Sequence, residues 1–176
     1  MTRIHRVLAL ARACHPGPTV AVTVLAGLLA LSGDLARGRA ALVVLAVLAG
    51  QLTIGWSNDL VDADRDRIAG RLDKPLVQGE LSIGALRLAI GWALVVCASA
   101  SLACGLGAGL VHLGLVVGSG WAYNLGLKRT RGSFLPYAVA FGALPAFVTL
   151  SESPAAVPPW WLVAAGALLG VGAHFV

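Results

Sequence analysis

Charge is what this sequence has least of. Only 12% of its 176 residues are Asp, Glu, Lys or Arg, about half the share a soluble globular domain carries. That shortage excludes an ordinary water-soluble fold. Cysteine is scarce as well, and Cys14, Cys97 and Cys104 lack metal-ligand spacing, which removes the case for a thiolate-bound metal. Cys97 and Cys104 fall seven apart on one predicted helix, so packing is their expected role. A basic patch interleaved with aromatics is also missing, so the net charge of +5 does not point to nucleic acid. No internal repeat or low-complexity linker divides the chain, and one membrane domain over residues 1–176 is expected.

What fills the chain instead is apolar. Hydrophobic residues make up 58% of it and the mean hydropathy is +0.84. They come in long blocks rather than in a period of 2 or 3.6, the pattern of helices that face lipid or one another. The expected fold is therefore an all-α, polytopic transmembrane helical bundle, with about six spans at about 20 residues each. The predicted helices cover 18–32, 40–57 (with the option of continuing through the acidic residues that follow), 83–104, 108–127, 134–150 and 159 to the end. Between them lie Ser32-Gly33, Gly105 to Gly107 and Ser151 to Pro159, which are helix-ending sequences. Many of the 22 glycines fall inside spans, where they serve close helix packing.

Lys and Arg give an orientation. Ten of the 13 lie in three segments that alternate topology puts on one side: Arg3, Arg6 and Arg12, then Arg65, Arg67, Arg71 and Lys74, then Lys128, Arg129 and Arg131. Arg37 and Arg39 fall on the other side, and Arg87 lies near the start of the third helix. The positive-inside rule predicts that the N-terminus and the acidic segment face the cytoplasm. The last helix stops at His174-Phe175-Val176 with no polar flank, so the expectation is a chain cut off at its C-terminus.

Five of the eight acidic residues lie between positions 59 and 73, in a segment, 58–82, predicted as a cytoplasmic Asp-rich loop. If the second helix continues into it, Asn58, Asp62 and Asp66 recur at i, i+4 and i+8 and stack along one face. Asp59 lies beside that stripe, and Asp64 falls on the opposite face. Stacked carboxylates repel and raise one another's pKa. A hard divalent cation offsets this, and magnesium is commonly held by one or two carboxylates together with substrate phosphates. A solvated loop whose acids balance Arg65, Arg67, Arg71 and Lys74 is the plainer alternative. Arg12, Lys74, Lys128 and Arg129, on the same predicted side, suit the phosphates of such a complex.

At these residues a resemblance emerges. Asn58-Asp59-x-x-Asp62-x-x-x-Asp66 resembles the first aspartate-rich motif of the UbiA superfamily of intramembrane prenyltransferases. Lys74-Pro75 and Arg12-x-x-x-Pro16 resemble other positions of that family. Tyr123-Asn-Leu-Gly-Leu-Lys128-Arg129 resembles its Tyr…Lys-Arg signature, with a spacing one residue longer than is common. The resemblance implies a nine-helix bundle around a central cavity, with a second Asp-rich motif after helix six, so that these residues alone would not be catalytically competent. It implies magnesium-dependent transfer of a prenyl group from a prenyl diphosphate to an aromatic or other lipophilic acceptor. Asn58, Asp59, Asp62 and Asp66 would be the catalytic residues, with Asn58, Asp62 and Asp66 on the metal. Arg12, Lys74, Tyr123, Lys128 and Arg129 would bind the diphosphate.

Three other classes compete. A CDP-alcohol phosphotransferase-like enzyme would show an Asp-Gly start and Ala-Arg spacing, which are absent. A transporter or divalent-cation permease would place acids deep inside spans, where this chain has almost none. A purely structural subunit leaves the fourfold spacing unexplained. No residue nominates itself as a catalytic base, and His112 and His174 are expected to be packed or hydrogen-bonded.

Overall fold

The computed structural model describes residues 3–176, and the side chain of Arg3 lies outside what is described. Among the described residues eight α-helices follow one another: α1 (Arg3–Ala13), α2 (Pro16–Ser32), α3 (Arg37–Ile68), α4 (Ile83–Ala103), α5 (Leu106–Val111), α6 (Gly118–Leu125), α7 (Leu135–Leu150) and α8 (Trp160–His174). A π-helical segment, His112–Val117, joins α5 to α6, so that Leu106–Leu125 is one continuous span. No strand occurs among the described residues.

The all-helical expectation holds among the described residues, and three or four of the six expected spans have the length and composition to cross a bilayer. Among the described residues three helices are long and apolar enough to cross a bilayer: α3, α4 and the α5–α6 helix. A fourth span exists if α1 and α2, bent by 75° at their junction, count as one. α7 and α8 have 16 and 15 residues, or roughly 24 and 22 Å of helix against about 30 Å of hydrocarbon. The apolar blocks are thus real, but the last two give helices shorter than their sequence suggests.

The acidic residues 58–68 are not in a loop. α3 runs through them to Ile68, and its 32 residues extend roughly 48 Å, enough to cross the hydrocarbon and project about three turns of a polar end. Arg65 and Arg67 occupy its last turn, where cations complement the helix dipole. A further helix, α1, was not expected. Its small residues Ala9 and Ala13 are buried, and Trp56 Nε1 donates to Leu10 O at 2.9 Å, which fixes α1 against α3.

The core between α2, α3, α4, α5 and α7 is built of small residues such as Ala26, Ala30, Ala46, Ala100 and Ala108, closed by Phe147 and Leu144. All three cysteines are buried and unpaired, as packing residues are. Large apolar side chains point outward instead, including Leu28, Leu31, Trp92, Val95 and Leu168. That inversion is natural when lipid is the solvent, since lipid-facing surfaces carry no penalty for Leu or Val and close helix contacts favour small side chains. Between α7 and α8 the contact runs through Gly166 and Gly170. A Cβ at Gly170 would stand 2.3 Å from Tyr137 O, and one at Gly166 would stand 2.5 Å from Phe141 O.

The two ends of the bundle differ chemically. At one end Arg39 Nη1 donates to Cys104 O at 3.2 Å and to Ser151 O at 3.0 Å, closing the C-terminal ends of α4 and α7 with one cation. The other end gathers the aspartates.

Candidate functional site: a carboxylate–lysine cluster above an apolar cavity

The site is assembled on the last turns of α3. Asp59, Asp62 and Asp66 are all buried, at 3%, 7% and 8% exposure, whereas the Asp64 side chain is 91% exposed and pairs with Arg67 at 2.7 Å. The fourfold spacing on a continuous helix produces this split: three carboxylates turn toward the protein and one toward solvent.

Each of the two inner carboxylates has its own cation. Asp59 Oδ1 accepts from Lys74 Nζ at 2.7 Å and lies 3.0 Å from His15 Nε2, which is itself 3.3 Å from Lys74 Nζ. Asp62 Oδ2 accepts from Lys128 Nζ at 2.5 Å, and the same ammonium donates to Asn58 Oδ1 at 3.1 Å. Arg65 and Arg129 come within 3.3 and 3.9 Å of Asp62 Oδ1. Those distances give Coulomb attraction without hydrogen-bond geometry, so Asp62 Oδ1 remains a buried acceptor without a donor, as does Asp59 Oδ2.

The cluster depends on elements far apart in sequence. Lys74 is set by the turn structure after α3, where Val77 N and Gln78 N both donate to Lys74 O. One residue before it, Asp73 is gripped by Arg71 through two hydrogen bonds of 3.0 and 2.9 Å, which hold its carboxyl down at about 2. Lys128 sits in a short 3-10 turn, Leu127–Arg129. Asn124, one turn back, anchors that region by donating to Ile54 O and Ser57 Oγ of α3, both at 2.8 Å.

His15 is the member that sequence reasoning missed. It has φ 55 and ψ 71, a left-handed conformation that costs a non-glycine residue roughly 1 kcal/mol or more. Its neighbour Cys14 presses on Gly55 so closely that a Cβ there would lie 2.1 Å from Cys14 O. The contact holds the bend between α1 and α2 against α3 and delivers the imidazole to Asp59. The only hint in the sequence is that His15 immediately precedes Pro16.

The expected site residues are therefore only partly brought together. Asn58, Asp59, Asp62, Lys74, Lys128 and Arg129 converge. Asp66 lies one turn further along α3, about 6 Å of rise from Asp62; its carbonyl accepts from Arg71 N at 2.9 Å, and its side chain makes no hydrogen bond or ion pair among the described residues. Arg12 is engaged by Glu80 in an ion pair. Tyr123 is not at the carboxylates: it lines a cavity beneath them, edge-on to Tyr137 with ring centroids 5.2 Å apart.

For a metal the arrangement is specific. Among the described residues, no three His, Cys, Asp or Glu side chains form a cluster that could hold an ion, so Asn58, Asp62 and Asp66 do not make a ready cage. What the site does offer is hard anionic oxygen, two atoms of it buried without a donor. That donor set fits magnesium of the kind held by one or two carboxylates and completed by phosphate oxygens and water.

The cavity measures about 300 Å³ and is walled by α2, α3, the α5–α6 helix, α7 and α8. It reaches Ile54 and Tyr123, which stand four residues before Asn58 and five before Lys128. A family model described as the UbiA prenyltransferase family matches residues 19–176. No curated protein and no solved structure matches the chain.

Proposed function

The chain belongs to the UbiA prenyltransferase family, and from that premise we propose that it serves magnesium-dependent transfer of a prenyl group from a prenyl diphosphate to a lipophilic acceptor. The observation that carries this reading is the pairing of Asp62 and Asn58 with Lys128 directly above an apolar cavity. One end of the site is suited to a metal–diphosphate head, the other to a hydrocarbon tail and its acceptor.

The chemistry asks for that division. The bond between C1 of the prenyl group and the diphosphate oxygen breaks with its electron pair leaving on oxygen. Donors aimed at that developing charge lower the barrier. Asn58 and Asp62, with Asp66 one turn on, would hold magnesium, which supplies Lewis-acid polarisation of the leaving oxygens when bound. Lys128, Arg129 and Lys74 would take the phosphate oxygens, exchanging the carboxylates they now face. Asp59 and His15 hold Lys74 in place for that exchange. The cavity keeps water from the electron-deficient carbon until an electron-rich acceptor attacks. The N-terminus and the Asp-rich end belong, on this reading, to the cytoplasmic side.

The test is diphosphate release from farnesyl diphosphate, with an aromatic hydroxyl compound supplied as acceptor, by the protein purified from its own membranes. Release should require magnesium, vanish in Asp62→Ala and persist in Asp64→Ala. Equal loss in the two variants would overturn the assignment of roles along α3.

A further inference from the structure

The cavity beneath the carboxylates has one feature that a mere slot for hydrocarbon does not need. Its walls are aliphatic and aromatic, and among the described residues no charged one lines it. Of its three polar side chains, Tyr123 and Tyr137 pack edge to face and both lie against His174. The third, Gln51, makes no hydrogen bond with any described residue. A carboxamide facing an apolar space without a partner is unfavourable, and inside a bilayer no bulk water relieves it. Leu or Met would fill the same volume at no such cost.

Gln51 also has a defined place along α3. It lies seven residues before Asn58, two helical turns or roughly 10 Å of rise, and Ile54 lies between them on the same wall of the cavity. A ligand hydrogen-bonded at Gln51 and extending up the cavity therefore presents its other end beneath the carboxylate–lysine cluster.

We propose that Gln51 recognises the head of the acceptor, and that this acceptor is a flat, neutral molecule bearing a hydroxyl or carbonyl group rather than a carboxylate. The proposal rests on the prenyl-transfer reading for the word acceptor, and its physical content is a binding preference. An amide both donates and accepts, so it pairs with a phenol, a quinol or a ketone. With no cation in the lining, a carboxylate would enter the cavity unpaired, a cost that excludes it. A site built to hydrogen-bond a hydroxyl discriminates against the analogue lacking one.

The experiment compares 1-naphthol, 1-methylnaphthalene and 1-naphthoate as probes, with the protein purified from its own membranes held in lipid nanodiscs and empty nanodiscs as the partition reference. Relative to that reference, the wild type should favour 1-naphthol over 1-methylnaphthalene by about three- to tenfold, the scale of one neutral hydrogen bond, and should take up no 1-naphthoate. Gln51→Leu should bind 1-methylnaphthalene as the wild type does and lose the preference for 1-naphthol. Gln51→Asn, one methylene shorter, should lose part of it. An unchanged preference in Gln51→Leu, or equal binding of 1-naphthoate, overturns the proposal. Adding magnesium and farnesyl diphosphate separates the two readings. Gln51-dependent binding of 1-naphthol without any prenylated product or diphosphate release sinks prenyl transfer and leaves the recognition role standing. Product formed at the same 1-naphthol concentration dependence in wild type and Gln51→Leu does the reverse.

Discussion

Lys128 tests the site one atom at a time. Its ammonium bridges Asn58 and Asp62, and its side chain and that of Asp62 are only 10% and 9% exposed. Lys128→Met leaves Asp62 to the looser attraction of Arg65 and Arg129. We expect a loss of about 1–3 kcal/mol, seen as a lower unfolding temperature in detergent, and a higher concentration of prenyl diphosphate needed for half-maximal release. If neither changes, Lys128 is a membrane anchor and no more. A milder case lies outside the membrane. Because Arg71 holds the Asp73 carboxyl at about 2, the pair favours the ordered turn above the ordinary carboxylate range, and the benefit fades as pH falls toward 2. Arg71→Ala should return the Asp73 titration to near 3.8, readable by carbon-detected NMR of labelled Asp. Asp62 and Lys128 were legible in the sequence because spacing on one helix and a basic flank do not need tertiary information. His15 and Gln51 were not. The first acts through a left-handed bend fixed by Gly55, the second through a cavity shaped by five helices.

Among the elements, α4 and α7 lie within one residue of the boundaries their apolar blocks predict, and α8 and the α5–α6 span within two. α3 differs most from its apolar block: the sequence leaves open whether the acidic residues continue the helix, and they do, to Ile68. α1 escaped because its buried face is made of Ala9 and Ala13, which carry little hydrophobic signal. Arg39 was read as a topology residue and proves to be a clamp on two helix ends. Arg39→Met should cost about 1–3 kcal/mol in thermal unfolding and leave the diphosphate requirement unchanged, since the clamp lies at the opposite end. Gly170→Leu should be harsher, because the Cβ alone meets the Tyr137 backbone at 2.3 Å. It should separate α8 from α7 and expose both to limited proteolysis, where an unaltered digestion pattern would refute the close crossing.

At the scale of the molecule, charge is sorted to one end. Asn58 to Lys74 and Lys128 to Arg131 meet there, joined to the N-terminal segment by Arg12–Glu80 and His15–Asp59. The proposed orientation makes this the cytoplasmic end. Asp64→Cys should then react with an impermeant maleimide only in inverted vesicles, and labelling in sealed right-side-out cells would reverse the assignment. The three native cysteines, all buried, give no competing signal. Six apolar blocks were visible in the sequence, but the π-helical segment within one of them (His112–Val117) was not, because local helix geometry follows from packing between helices rather than from hydropathy.

The contact of Gly55 with Cys14 has a consequence for how such a chain can vary. Every one of the other nineteen amino acids carries a Cβ, and the Cys14 carbonyl occupies its place. In a saturation library selected for function, position 55 should therefore return a single letter. Asp64, about two and a half turns further along α3 and turned to solvent, should return nearly the whole alphabet.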